Sequence, residues 1–206
     1  MPMFPLGSVL FPNMPLPLRV FEERYLIMLS ELVKSDDPRF GVVLIERGVE
    51  VGGGEHRFDV GTAAVITQLG AAEGVVGLVA QGGQRFEVVE WLPDQPYPRA
   101  EVRLLDDLTW DEGLDPLLQS TERLVRRSIS QASEFSELVW PADVELADAP
   151  AEAVWQLAAI SPLGPLDQVT LLRTGSAEEL LSRLTTLTEE AAVAWHTAWP
   201  EDAPDP

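Results

Sequence analysis

For eighteen residues the chain mixes apolar side chains with proline and carries no charge; only from Arg19 onward do apolar and polar positions take up regular spacings. In "FEERYLIMLSELVK" (21–34), Phe21, Tyr25, Met28, Leu29 and Leu32 recur at the offsets of one helical face. Glu22 and Glu23 in the first turn and Lys34 in the last suit the helix macrodipole, which predicts a helix with this stripe in the core. Ahead of it, "SVLF" and "MPLPLRV" read as short extended runs around a turn at Pro12 and Asn13. Behind it come "FGVVLIE" (40–46), "GTAAVITQL" (61–69), "GVVGLVAQ" (74–81), "RFEVVEWL" (85–92) and "RAEVRLL" (99–105). Val/Ile/Leu-rich runs bounded by Gly, Pro or Asp are the mark of strands separated by turns. Their close spacing leaves no room for crossover helices, which predicts a mostly antiparallel sheet closing into a barrel.

The rhythm changes near Trp110. Asp115 is predicted as an N-cap with Pro116 at the first helical position, and Leu117, Leu118, Leu124, Val125 and Ile129 keep one face through residue 132. Ser176 and Glu179 form a capping box before a long helix with an inner side of Leu180, Leu181, Leu184, Leu187, Ala191 and Trp195. Shorter helices are expected around residues 150–160 and 165–173. The predicted fold class is α+β. A β-rich domain with one inserted helix covers residues 1–105, a linker covers 106–114, and a helical bundle covers 115–199. The acidic, proline-rich tail, 200–206, is expected to be disordered.

The opening stretch holds no Lys or Arg before Arg19 and no small-residue cleavage site, so no export signal is expected. Pro2, Pro5, Pro12, Pro15 and Pro17 break any helix that would need about 20 continuous apolar residues to span a bilayer. Extended chain in a folded domain remains. With 206 residues, 46% of them hydrophobic, the chain can fill a sizeable core. It has no cysteine, which excludes disulfides, thiolate nucleophiles and cysteine metal sites and points to a reducing cytoplasm. The net charge of −20 is uneven: residues 1–105 carry 14 acidic and 9 basic side chains, residues 106–206 carry 20 and 5. Such a balance repels polyanions, so neither nucleic acid nor an anionic membrane is an expected partner.

Candidate chemistry is sparse. The only lysine is Lys34, so no phosphate-binding P-loop can be written, and Asp36 and Asp37 beside it would keep it charged. His56, with Glu55 and Asp59 in "GGGEHRFD", matches no metal-ligand spacing and reads as part of a solvated loop; His196 is the other histidine. The glycines of "VGGGE" and "AQGGQ" read as turn glycines. Asp106 and Asp107 read as linker, and Glu178 and Glu179 as a helix start. No catalytic residue, cofactor or metal is expected. Among six tryptophans, Trp155 and Trp195 fall on apolar helical faces and belong to the core. Trp140 differs, because "EFSELVWPADVE" is a loop-like stretch bounded by charge. Phe135, Leu138 and Trp140 either cover the gap between barrel and bundle or form an exposed apolar patch. A patch rimmed by acid suits an extended, apolar, basic polypeptide.

Three blocks of the chain carry a resemblance. "FPLGSVLFPNMPLPLRVFEERYLIML", "FGVVLIERGVEVGGGEHRFDVGTAAVI" and "GLVAQGGQRFEVVEWLPDQPYPRAEV" resemble, in order and with matching gaps, the amino-terminal substrate-binding domain of Lon proteases. "SPLGPLDQVTLLRTGSAEELLSRLTTL" is similar to the family's closing pattern. The resemblance implies a PUA-like β pseudo-barrel followed by a helical bundle, with Gly61 allowing a tight backbone approach and Arg85 and Phe86 packing the barrel. It also implies a member without the family's ATPase and peptidase domains. The expected function is non-catalytic binding of exposed apolar segments of unfolded or partner proteins, at Phe135, Leu138 and Trp140 and in grooves where barrel meets bundle. A separate protease is a further candidate partner. An RNA-binding module, by analogy with PUA-like folds, is the alternative, and a small hydrolase using Ser, Asp and His56 ranks below both.

Overall fold

The uncharged opening becomes a strand buried on both faces. The computed structural model describes residues 1–46, 56–72, 75–133 and 139–198. The chain falls into two compact units, Met1–Asp107 and Leu108–Pro206. The first unit holds β1 (Met3–Leu6), β2 (Pro15–Val20), α1 (Glu23–Leu32), β3 (Arg39–Glu46), β4 (His56–Ala72), β5 (Val75–Leu92) and β6 (Arg99–Leu104). Met3 points inward onto Val43, Ala63, Phe86 and Ala100. Phe4, on the opposite face of the same strand, stacks on Tyr25 of α1 with ring centroids 4.0 Å apart. A strand enclosed on both sides has no place for charge, which accounts for the composition of the first residues.

The sheet runs β1-β3-β4-β5-β2, with β6 also on β5. β1 lies parallel to β3, and every other strand pairing is antiparallel. The ring closes where β1 meets the start of β6: Pro2 bridges Arg99, the Met3 amide donates to the Pro98 carbonyl at 2.8 Å, and the Ala100 amide donates to Met1 at 3.0 Å. Phe86 fills the interior, and two glycines make room for it. A Cβ on Gly41 would sit 2.8 Å from the Phe86 ring, and one on Gly61 would sit 2.7 Å from it and 2.2 Å from the Val42 carbonyl oxygen.

Four local expectations need correction. β5 is one strand of 18 residues, not two, and Gly82 and Gly83 lie inside it rather than in a turn. Gly82 is required by a close approach, since a Cβ there would meet the Phe11 carbonyl oxygen at 2.2 Å. "SVLF" is not a strand; Leu10 and Phe11 are buried loop residues, with the Leu10 carbonyl accepting from the Thr62 hydroxyl at 2.6 Å. Asn13 then turns the chain with φ 62°, a left-handed conformation that asparagine tolerates. Phe21 is 71% exposed, because Glu22 caps α1 with an extended backbone and the helix begins after it. Lys34 lies past the end of α1, and the carboxylate of Asp37 pairs with Arg39 instead.

β2 is an edge strand, and its prolines have positional meaning. Gly82 of β5 donates to Met14 and accepts from Asn13, so Gly82, Ala80, Leu78 and Val76 direct their backbone groups toward β2. Pro15, Pro17 and Arg19 oppose the intervening residues, and their backbone faces outward. Two of these three outward positions thus lack an N–H and the third carries a charge, which blunts the edge against pairing with another strand. Pro17→Val restores an outward donor without removing any bond to β5, and is expected to increase concentration-dependent self-association in sedimentation velocity while thermal stability stays nearly unchanged.

The second unit opens with a short 3-10 turn, Glu112–Leu114, followed by α2 (Asp115–Ala132), α3 (Pro150–Ile160), α4 (Pro165–Leu172) and α5 (Ala177–Ala198). The expected cap Asp115 is inside the first turn of α2. Asp111 does the capping, accepting from the Gly113 amide at 2.8 Å, while Asp115 accepts from the Trp110 indole at 3.0 Å. The inner face of α2 is Thr121, Val125, Ser128, Ile129 and Ala132, with Leu117, Leu118 and Leu124 half-buried. On α5, Leu180, Leu181 and Leu184 are fully buried, then Thr188 takes the inward position and Leu187 and Ala191 are half-buried; the side chain of Trp195 lies outside the described residues. The Thr121 and Thr185 hydroxyls join α2 to α5 at 2.9 Å. The Ser176 hydroxyl accepts from the Glu179 amide at 3.1 Å, and Glu179 reaches back to the Gly175 amide at 2.8 Å. That bond, aided by Arg183, holds the Glu179 carboxyl below its ordinary range. Among the described residues, no helix is long and apolar enough to cross a membrane.

Candidate functional site

Of the three residues singled out from sequence, Trp140 is half-buried, and Phe135 and Leu138 lie outside the described residues. Beside Trp140, Val139 is 87% exposed, an apolar neighbour that the sequence reading passed over. Proline at 141 bends the chain away from any regular element. The segment that follows is fixed by α2. Arg126 donates to the Ala142 carbonyl at 2.5 Å and the Val144 carbonyl at 3.1 Å, while Glu122, one helical turn back, accepts from its Nε at 2.8 Å. The Ala147 amide donates to the Gln156 side chain of α3 at 2.7 Å, so both ends of the segment are tied to helices.

Between α2 and this segment lies a surface cavity of about 460 Å³, lined by Arg126, Arg127, Ser130, Gln131, Ala142 and Asp143. Arginine presents an apolar stem and a fork of donors. The arrangement can therefore supply aliphatic contact, an exposed valine and hydrogen bonds to carbonyl oxygens. The signal for Arg126 and Arg127 was present in the sequence: with Arg123 they are three of the five basic residues in the acidic half, packed into two turns of one helix.

The other candidate groups are dispersed. His56 opens β4 opposite Glu46 instead of lying in a loop, and its side chain is outside the described residues; Asp59 is exposed. Among the described residues no three His, Cys, Asp or Glu side chains gather as a metal would need. Arg85 does not pack the barrel interior. It is 5% exposed and donates to the Asp106 carbonyl at 3.0 Å, as Gln84 does to that of Leu105 at 2.9 Å, so the two tie the end of the first unit to β5. Burial lowers the Arg85 pKa and Asp107 partly offsets it. A second cavity, about 340 Å³, lies by the end of α1 among Glu31, Ser35, Asp37, Arg39 and Tyr97. Its polar groups bond to one another: the Tyr97 hydroxyl donates to Glu31 at 2.5 Å, and Arg39 grips Asp37. Burial, then Glu31, raises the Tyr97 phenol above its ordinary pKa.

The chain is similar to known proteins in both sequence and fold. Lon protease 2 of Herpetosiphon aurantiacus is 30% identical over 195 residues, covering 89% of this chain and 23% of that protein. The Lon protease of Escherichia coli K12 is 28% identical over 196 residues, covering 91% and 24%. This chain thus spans about a quarter of the length of these relatives. The crystal structure of a Lon N-terminal domain protein from Xanthomonas campestris superimposes with a TM-score of 0.62 at 25% identity, over 95% of this chain and 97% of that one. The N-terminal domain of Mycobacterium avium complex Lon protease shares the fold, with a TM-score of 0.65 at 17% identity over 92% and 97%. The pattern of the ATP-dependent protease La (LON) substrate-binding domain matches residues 1–190, and the chain belongs to that family.

Proposed function

We propose that this chain captures polypeptides by their exposed apolar segments and performs no chemistry on them. The observation that carries the proposal is the exposed Val139 beside half-buried Trp140, just ahead of the segment that Arg126 holds at Ala142 and Val144. Aromatic side chains in partly enclosed surroundings dominate binding energy, and the surrounding contacts mainly exclude water. The charge of the second half favours neutral or basic segments over acidic ones. Phe135 and Leu138 are further binding residues in this reading. A protease that cleaves what the chain holds is the partner that the family relationship suggests.

The test is titration of the chain with reduced, carboxamidomethylated lysozyme, a permanently unfolded and basic polypeptide, with and without ATP. Binding independent of ATP is expected, and Trp140→Ala should weaken it by tenfold or more, about 1.4–2 kcal/mol. A parent chain that binds nothing, or that cleaves the probe when ATP is added, contradicts the proposal.

A further inference from the structure

We infer that the outer edge of β4, from Thr67 to Ala72, receives an extended segment of another polypeptide as an added antiparallel or parallel strand, recognised through its backbone. The inference rests on the reading of the chain as a polypeptide binder and assigns that function a second, sequence-independent surface.

The backbone groups of β5 point alternately to its two neighbours. Because Gly82 faces β2, the β5 residues between, Gln81, Val79, Gly77 and Val75, face β4, and the Thr67 hydroxyl indeed donates to the Val79 carbonyl at 3.0 Å. Gly70 opposes Gly77 and Ala72 opposes Val75, so their amides and carbonyls are spent on β5. Leu69 and Ala71 oppose Leu78 and Val76, which face β2, and their own backbone groups therefore turn outward. The register is confirmed one step earlier: Ile66, in the same outward class, donates its amide across the sheet to the Pro38 carbonyl at 3.3 Å. Beyond Ile66, among the described residues, β4 pairs only with β5.

This edge is unguarded in every way that β2 is guarded. Residues 67–72 are "TQLGAA", with no proline and no charge, and Thr67 through Gly70 are exposed. Alternating outward N–H and C=O groups are complementary to one thing above all, another strand. The flank adds apolar area, as Leu69 is 47% exposed and Val65 37%. A second copy of this chain is the less favoured occupant. Each copy carries −20, and the edge of β2 has prolines at its outward positions. An extended neutral or basic segment meets neither obstacle.

The experiment reads amide hydrogen exchange on the parent chain with and without saturating carboxamidomethylated lysozyme, together with the binding constant of Ala71→Pro. That substitution copies the device of β2, deleting an outward donor while sparing the bonds to β5. Leu69→Lys serves as a second variant that places a charge on the edge and keeps every backbone group. Protection of the Leu69 and Ala71 amides by tenfold or more, with binding weakened at least fivefold in either variant, is the expected result. Unchanged exchange at both amides on a chain that does bind the probe overturns the edge while leaving polypeptide capture standing. No binding by the parent overturns both. Protection of the same amides that appears with protein concentration alone, without the probe, overturns the choice of occupant in favour of a second copy.

Discussion

Phe86→Ala is expected to lower the unfolding free energy of the barrel unit by about 4 kcal/mol, read as a shift of the urea midpoint. Phe86 is completely buried at the middle of β5 and belongs to the cluster that joins β1, β3, β4 and β6. The space it fills is walled partly by backbone, because Gly41 and Gly61 face its ring without side chains. Neighbours of that kind cannot swing into the void, so the loss should fall well inside the usual range of roughly 3–5 kcal/mol for a buried phenylalanine. Against a total of about 5–15 kcal/mol for a typical domain, that is a large fraction. A loss under about 1 kcal/mol would show that the cavity collapses and that the glycines do not set its shape.

The second large effect comes from a pair of neighbours treated alike in sequence. Gly82→Ala puts a Cβ 2.2 Å from the Phe11 carbonyl oxygen, whereas Gly83→Ala puts one 3.2 Å from the Ala63 carbonyl oxygen, on the other face of β5. The first clash is with backbone and can be relieved only by moving the loop of Leu10 to Asn13, which itself bonds to Gly82. Gly82→Ala should cost about 3 kcal/mol or more, since overpacking against rigid atoms is costly. Gly83→Ala needs a shift of a few tenths of an ångström. It also gains part of the roughly 0.5–1 kcal/mol by which alanine outdoes glycine in a strand, so it should stay within about 1 kcal/mol of the parent. Thermal unfolding of the two variants side by side checks the contrast.

These cases show what could be read from the chain and what could not. Regular periodicity was legible: the body of α1, the strands at Phe40, Gly61 and Arg99 and the box at Ser176 and Glu179 appear where their spacings predict them. The family was legible because three blocks agreed. What escaped depends on contacts distant in sequence. Gly82 looks like a turn residue, since nothing nearby announces that Phe11, some seventy positions earlier, presses its carbonyl against it. "SVLF" has strand composition, but its Leu10 carbonyl accepts from the Thr62 hydroxyl and its Phe11 carbonyl from the Met14 amide, as in a loop. Asp115 has the right chemistry for a cap and loses the position to Leu114, because a 3-10 turn capped by Asp111 runs directly into the helix. At the candidate site, Trp140 was visible as an aromatic out of phase with any helix. Arg126, which holds the next residues, acts through carbonyls and shows in the sequence only as part of a basic cluster in the acidic half.

The closure of β1 against Arg99 has an implication for how the chain is made. The first strand docks on a segment synthesised almost one hundred residues later. At about 5–20 residues per second a ribosome takes roughly 5–20 s to supply it. Throughout that interval Met3, whose cluster includes Phe86 and Ala100, lacks part of its docking surface. The barrel can therefore seal only once the strand of Arg99 has left the exit tunnel.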